Sequence, residues 1–276
     1  MQMSPVMRYH NAALKYYLAL TESPYLHYGY WASSPQLEEL TLPNFRLAQR
    51  HYAEKLFGFI PETVQRILDV GCGVGGNAKN LLDQGFDVDG LAPDPFQKDK
   101  FLTTTQDRAT FHLSRFEDFT AKDPYDLIFL SESSQYMGVS DMATAAHRNV
   151  NAQGYLLLAD MMRSDIDYTE GIFSGCHATT DVEEALKSAG FKLIRCEDIS
   201  LQIAPTLDLC IEKLRIYGFS TLNYIADVLE IAVPPIYIFL RWAYRKWLKA
   251  TLIEGLNARR IFDQHLCYQI QLWQLA

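Results

Sequence analysis

A chain of 276 residues with 49% hydrophobic and 21% charged residues has a globular composition, enough for one large domain or one domain with a substantial insertion. Its net charge of −8 argues against a general nucleic-acid binder, which needs a basic surface to neutralise phosphate. The five cysteines (Cys72, Cys176, Cys196, Cys210 and Cys267) are scattered and form no C-x-x-C pair, so reduced cytoplasmic thiols are expected, and neither a disulfide framework nor a metal site.

Over residues 5–20, Val6, Tyr9, Ala13, Tyr16, Tyr17 and Leu20 recur at helical spacing. An aromatic loop follows at 23–31, Ser-Pro-Tyr-Leu-His-Tyr-Gly-Tyr-Trp. A second amphipathic helix is expected over about 36–57, closed by Gly58 and Pro61. Tyrosine and tryptophan faces attract cations, so the loop suits a lid that shields a positively charged ligand from water. It equally suits aromatics packing the first helices on the body, which is the plainer role for Trp31; for Tyr28 both readings stand.

Residues 66–76 (Arg-Ile-Leu-Asp-Val-Gly-Cys-Gly-Val-Gly-Gly) change character abruptly. The apolar Ile67, Leu68 and Val70 run into four glycines within six positions, and 77–82 reads as the opening of a helix. That is a buried parallel strand, a tight turn and a helix start. The spacing of Gly71, Gly73 and Gly76 fits the G-x-G-x-x-G of dinucleotide sites. Asp69, at the carboxyl end of the strand, points elsewhere: a carboxylate there repels a pyrophosphate and attracts an ammonium group.

The segment D-V-G-C-G-x-G at 69–75 resembles motif I of the class I S-adenosylmethionine (SAM)-dependent methyltransferases. H-Y-G-Y-W at 27–31 resembles the N-terminal lid of their small-molecule and lipid groups, the tocopherol, sterol and cyclopropane-fatty-acid enzymes among them. The resemblance implies an α/β fold: a Rossmann-like seven-stranded sheet, mostly parallel with an antiparallel last strand, and helices on both faces. A helical lid at 1–61, a SAM-binding core at 62–204, a helical insertion or cap at 205–263 and the last core strand at 264–276 complete the expected organisation. SAM is the implied cofactor, with Asp69, Gly71, Cys72, Gly73 and Gly75 in its site and Tyr28 reaching it from the lid.

Strands alternate with helices after the glycine turn, at 87–91, 109–113, 126–130, 155–159 and 192–199. In the family, an acidic residue ending the second strand holds the ribose. Counting from Gly90 places Ala92 there, and the nearest carboxylate is Asp94, which with Pro95 takes the expected role. A turn-forming aspartate between prolines would need no ligand. After the third strand the family carries an aspartate for the adenine amino group; Arg115 stands in its place, leaving Phe116 to meet the ring.

The loop at 131–137 lies at the carboxyl end of the fourth strand, where open α/β sheets bind ligands. Glu132 is its candidate general base or ammonium partner, and Gln135 and Tyr136 are placed to orient an acceptor. A helix is expected at 141–150, and the fifth strand should end before Asp160. His177, on the following loop, is a candidate proton carrier, although a loop histidine is commonly just solvated. Glu183 stands where a capping box with Thr180 would open the next helix. The candidate catalytic set is therefore Glu132, Tyr28, Tyr136 and His177.

The last strand, at 266–275, is expected at the sheet edge in a hairpin with strand six. About sixty residues precede it, far longer than an ordinary connection. Within them an apolar aromatic piece (233–240) runs into a basic aromatic one (241–249). This suits an interfacial helix, with peripheral membrane contact through 228–249, or a cap lining a pocket for a lipophilic substrate. A helix packed on the sheet with basic residues outward is the plainer alternative. No secretory signal and no uncharged run long enough to span a bilayer are read, so a cytoplasmic, at most peripheral, protein is expected.

The expected activity is in-line methyl transfer from SAM to a small, hydrophobic acceptor, without nucleic acid. Two alternatives remain: a SAM-using enzyme that releases methylthioadenosine by cyclisation or aminocarboxypropyl transfer, and a non-catalytic SAM-binding subunit. The oligomeric state is not read from the sequence.

Overall fold

The run Ile67, Leu68 and Val70 forms β1 (Arg66–Val70), and all of its side chains after Arg66 are buried, Asp69 included. This is seen in a computed structural model that describes residues 5–32 and 35–276. Two helices precede the strand, α1 (Pro5–Thr21) and α2 (Leu42–Phe57). The side chains of Val6, Tyr9 and Ala13, part of the helical series expected in α1, lie outside the described residues. Thr41 caps α2 by accepting from Asn44 N at 3.3 Å, and Pro43 stands in its first turn, where no N–H is needed.

Beyond β1 the chain alternates through α3 (Gly76–Asp83), β2 (Asp87–Ala92), α4 (Pro95–Thr105), β3 (Thr110–Leu113) and β4 (Tyr125–Ser131). It continues with α5 (Val139–Asn149), β5 (Val150–Arg163), α6 (Thr179–Ser188) and β6 (Phe191–Asp198). The seven strands form one sheet in the order β3-β2-β1-β4-β5-β7-β6. The first five pair in parallel, and β7 (Leu266–Leu275) runs antiparallel to both β5 and β6.

Side chains alternate across the sheet with the two-residue period of a strand. Ile67, Phe129, Leu157 and Tyr268 face α2 and the helices before β7, whereas Leu68, Ile128, Leu130 and Trp273 face α5 and α6. The strand order reverses between β1 and β4, and the crevice beyond their carboxyl ends is where such sheets take ligands.

Three local expectations are corrected. β7 is not the edge strand: it lies between β5 and β6, and β6 is the edge. Eight of its ten residues are buried, and Gln269 and Gln271 are absorbed by a chain in which Trp273 Nε1 donates to Gln271 Oε1 and Gln271 Nε2 to Gln269 Oε1. β5 runs to Arg163 rather than stopping before Asp160, because β7 pairs with it as far as Leu266 and extends the ladder. No capping box opens α6: its N-cap is Ala178, and the cap makes no side-chain hydrogen bond.

The segment between β6 and β7 is wholly helical. α7 (Ser200–Lys213) leads into a wide π-type turn at 214–219, then α8 (Ser220–Ala232), α9 (Pro234–Ala243), a second π-type turn at 244–248, α10 (Lys249–Leu256) and α11 (Ala258–His265). α7 and α11 lie on the sheet and on each other, tied by Arg259 Nη1 to Asp208 Oδ2 at 2.5 Å. The residues between them bury no described side chain. Among the described residues no helix is long and apolar enough to cross a membrane.

Candidate cofactor and active site

The turn after β1 is built for a close ligand. Gly71 takes φ +72°, a left-handed conformation that favours glycine, and its N–H donates to Leu91 O at 2.8 Å, tying β1 to β2. Gly76 is needed for space: a Cβ there would lie 2.5 Å from Pro24 O, so the aromatic loop sits directly on the glycine turn. Between the two lies a cavity of about 510 Å³, within the range of small-molecule sites. Its floor is Asp69–Val74 with Gly76 and Asn77, and residues 24–27 form the opposing wall.

Asp69 is 2% exposed, and its Oδ2 has no hydrogen-bond partner. Burial pushes its carboxyl up to about 7. A buried carboxylate is costly without a counter-charge, so this oxygen fits a cationic group placed in the cavity. Asp94 is also buried and borders the cavity; its Oδ1 caps α4 by accepting from Phe96 N at 3.0 Å. Phe116, 2% exposed, contributes an apolar wall. Arg115, largely exposed, is paired with Glu117 at 2.5 Å, and both border the cavity beside Phe116.

At the β4 end the arrangement is different. Glu132 sits at φ +54° just past β4, and its Oε1 accepts from Tyr28 N and from Tyr268 Oη, both at 2.8 Å. Tyr268 Oη meets Tyr52 Oη at 2.6 Å, and Tyr52 Oη lies 3.3 Å from Ser131 Oγ. Burial pushes Glu132 up to about 8; the nearby Asp160 charge adds to this, and the two donors pull it back. Asp160 is itself buried, accepting from Ser134 N and Oγ and from Met161 N.

The sequence-expected residues separate into two groups. Asp69, Gly71, Cys72, Gly73, Asp94, Phe116, Glu132 and Tyr136 line one cavity, with Tyr136 at its exposed rim. Gly75 does not: it is the N-cap of α3 at φ +90°, backed on Phe101, and Gly76 takes the lining position. Pro95 is turned into the first turn of α4, leaving Pro93 and Gln97 as liners. Tyr28 reaches Glu132 through its backbone N–H, and its ring packs edge-on against Tyr268 instead of lining the cavity. His177 is spent on Ser134 O, 3.0 Å from its Nε2, and also stands off the cavity.

Sequence reasoning missed the residues that hold this wall together. Gln49 is fully buried: its Nε2 donates to His27 O, Tyr25 O and Tyr17 Oη, and its Oε1 accepts from Ser23 Oγ. Thr206 Oγ1 accepts from Gly29 N and Trp31 Nε1. A polar residue within the apolar face of a helix (Gln49 among Phe45, Ala48, Tyr52 and Ala53) was the available signal.

Residues 45–213 match the profile of a family described as methyltransferase domain. No curated protein matches the sequence significantly. Solved structures share the fold at low identity. The [4+2]-cyclase SpnF is 14% identical, over 98% of this chain and 94% of that one, with a TM-score of 0.72. Geranyl diphosphate C-methyltransferase from Streptomyces coelicolor A3(2), bound to Mg2+, geranyl diphosphate and S-adenosyl-L-homocysteine, is 13% identical over 91% of each chain, TM-score 0.65. The cyclopropane synthase MmaA2 from Mycobacterium tuberculosis is 19% identical over 95% and 93%, TM-score 0.63.

Proposed function

The chain belongs to the methyltransferase-domain family, with S-adenosylmethionine as its cofactor, and from that premise we propose that it methylates a small, lipophilic acceptor with Glu132 as the general base. The unpartnered Oδ2 of Asp69 supports a salt link to the cofactor's α-ammonium group. On this reading Asp94 takes the ribose hydroxyls and Phe116 the adenine ring, supported by their both lining the cavity. The cofactor supplies a methyl group already activated on a sulfonium. What remains for the chain is to position the acceptor, exclude water and remove one proton.

Glu132 is the observation that carries this reading. It is a cavity carboxylate whose two donors both fall on Oε1, which leaves Oε2 as the oxygen available to an acceptor's proton. A carboxyl held near 8 is half ionised at a mildly alkaline pH, where a base of that strength is most useful. Tyr25, Leu26, Val70, Val74, Phe116 and Met137 give the cavity apolar surface beside its polar lining, and on this reading the acceptor packs against them.

The test is mass spectrometry of the protein incubated with SAM and a panel of prenyl, quinol and alkene acceptors. A methylated product together with S-adenosylhomocysteine supports the reading. Methylthioadenosine formed from SAM alone would assign the chemistry to the cofactor's own side chain instead. A second reading, ring closure of a bound substrate with the cofactor unconsumed, is favoured by the whole-chain likeness to the [4+2]-cyclase. An acceptor isomerised in the presence of unchanged SAM would be its signature.

A further inference from the structure

The excursion at 214–257 leaves the body at α7 and returns at α11, whose bases are fastened together. Its two arms, 214–232 and 234–256, are helical and of similar length, roughly 28 and 34 Å at the helical rise. They break at Val233–Pro234, which is therefore the turning point. Around that point the side chains are apolar and exposed: Ile231 is 84% exposed, Ile238 65% and Phe239 58%. A water-soluble surface rarely leaves so large an apolar patch without a use for it.

Charge is segregated along the axis of the arm and not across a face. Residues 231–240 hold no charged residue at all. Directly behind them come Arg241, Arg245, Lys246 and Lys249, with no carboxylate from 231 to 253, in a chain whose net charge is −8. Aromatic rings stand at the boundary: Arg241 lies over Tyr237 at 5.9 Å and Lys246 over Trp242 at 5.0 Å. An apolar end, an aromatic belt and a basic collar, in that order, match hydrocarbon, headgroup and anionic phosphate. On the other arm Asp227 and Glu230 set a shallow limit to entry.

We propose that this excursion is a docking arm for a lipid surface bearing anionic headgroups, its turning point entering the interface and the 241–249 collar engaging the phosphates. The binding is peripheral, because no described helix spans a bilayer. It does not rest on the cofactor reading.

The test is co-sedimentation of the full chain with phosphatidylcholine vesicles, with and without one-third phosphatidylglycerol, at low and high salt. The wild type is expected to pellet with the anionic vesicles and to be released by salt. Replacing Arg241, Arg245, Lys246 and Lys249 by Gln should weaken binding about fivefold per residue removed. Ile238→Asp with Phe239→Asp should abolish the remainder. None of these side chains is buried, so an unchanged thermal midpoint will show that the variants fold. Pelleting with neither vesicle, or pelleting unaffected by both variants, would overturn the proposal. So would a dimer in sedimentation velocity without lipid that Phe239→Asp dissociates, since the arm would then cover a second copy of this chain.

Discussion

Two carboxylates of the cavity, the buried Asp69 and the partly exposed Glu132, are treated in opposite ways. Asp69, at the end of β1, is left with an oxygen that nothing donates to; Glu132, past β4, is held by a backbone N–H and a phenol that is itself hydrogen-bonded. Burial raises both, to about 7 and about 8. The difference lies in what completes them. Asp69 Oδ2 has no partner within the chain, and the proposed ammonium link would supply one, whereas Glu132 is already oriented by its two donors. On the proposed function, one end of the cavity holds the cofactor and the other reacts.

Asp69→Asn should break this contrast most severely. Loss of the buried ammonium partner is expected to weaken SAM binding by about a hundredfold or more, readable by calorimetry. The same change should stabilise the ligand-free protein. A carboxyl raised from 3.8 to about 7 on folding holds its proton more tightly in the folded state, so stability falls as pH rises between those values. At pH 8 that deficit amounts to about 4 kcal/mol at most, and the variant escapes it. Wild-type affinity should itself be bell-shaped in pH. It rises as Asp69 ionises near 7 and falls again as the ligand's α-amino group loses its proton near ~8.

Glu132→Gln should leave SAM affinity nearly intact and lower kcat by about a hundredfold or more, the ordinary worth of a general base. The split between binding and turnover is what sharpens the comparison. If both variants lost binding equally, the cavity would have no distinct reactive end. In the wild type kcat should climb with pH through about 8, following ionisation of Glu132.

How far each end was legible in the sequence follows from how local its determinants are. The floor is written within residues 67–77: an apolar strand, Asp69 and glycines, two of which line the cavity with positive φ. Glu132 was legible from its place after an apolar strand, because the carboxyl edge of a parallel sheet is a consequence of topology. Its partners were not. Tyr52 and Tyr268 are separated by 216 positions, and each looks like one more core aromatic on its own element. Reading β7 as an edge strand turned Tyr268 into a residue of the periphery, whereas the order β5-β7-β6 flanks it on both sides and buries it. Asp94 was reached by counting past Ala92 to the next carboxylate, and it borders the cavity while also capping α4. Tyr28 was marked for its ring, yet it is its backbone N–H that meets Glu132, while the ring packs against Tyr268.

Tyr268→Phe is the finest cut, because it removes one hydroxyl from behind the proposed base, Glu132, without touching the cavity floor. Tyr268 Oη donates to Glu132 Oε1, and a donor to a carboxylate favours its charged form. Without it the Glu132 carboxyl should climb further above its wild-type value of about 8, moving the rise of kcat to higher pH by roughly one unit. At pH 8 turnover should fall severalfold and recover as pH increases, while SAM affinity stays constant. A merely structural tyrosine would lower the whole profile without displacing it. Tyr52→Phe should act in the same direction and less strongly, since Tyr52 reaches Glu132 only through the Tyr268 hydroxyl at 2.6 Å and also contacts Ser131 Oγ at 3.3 Å. A displaced profile in the first variant and a smaller displacement in the second would order the two phenols along one chain leading to the base.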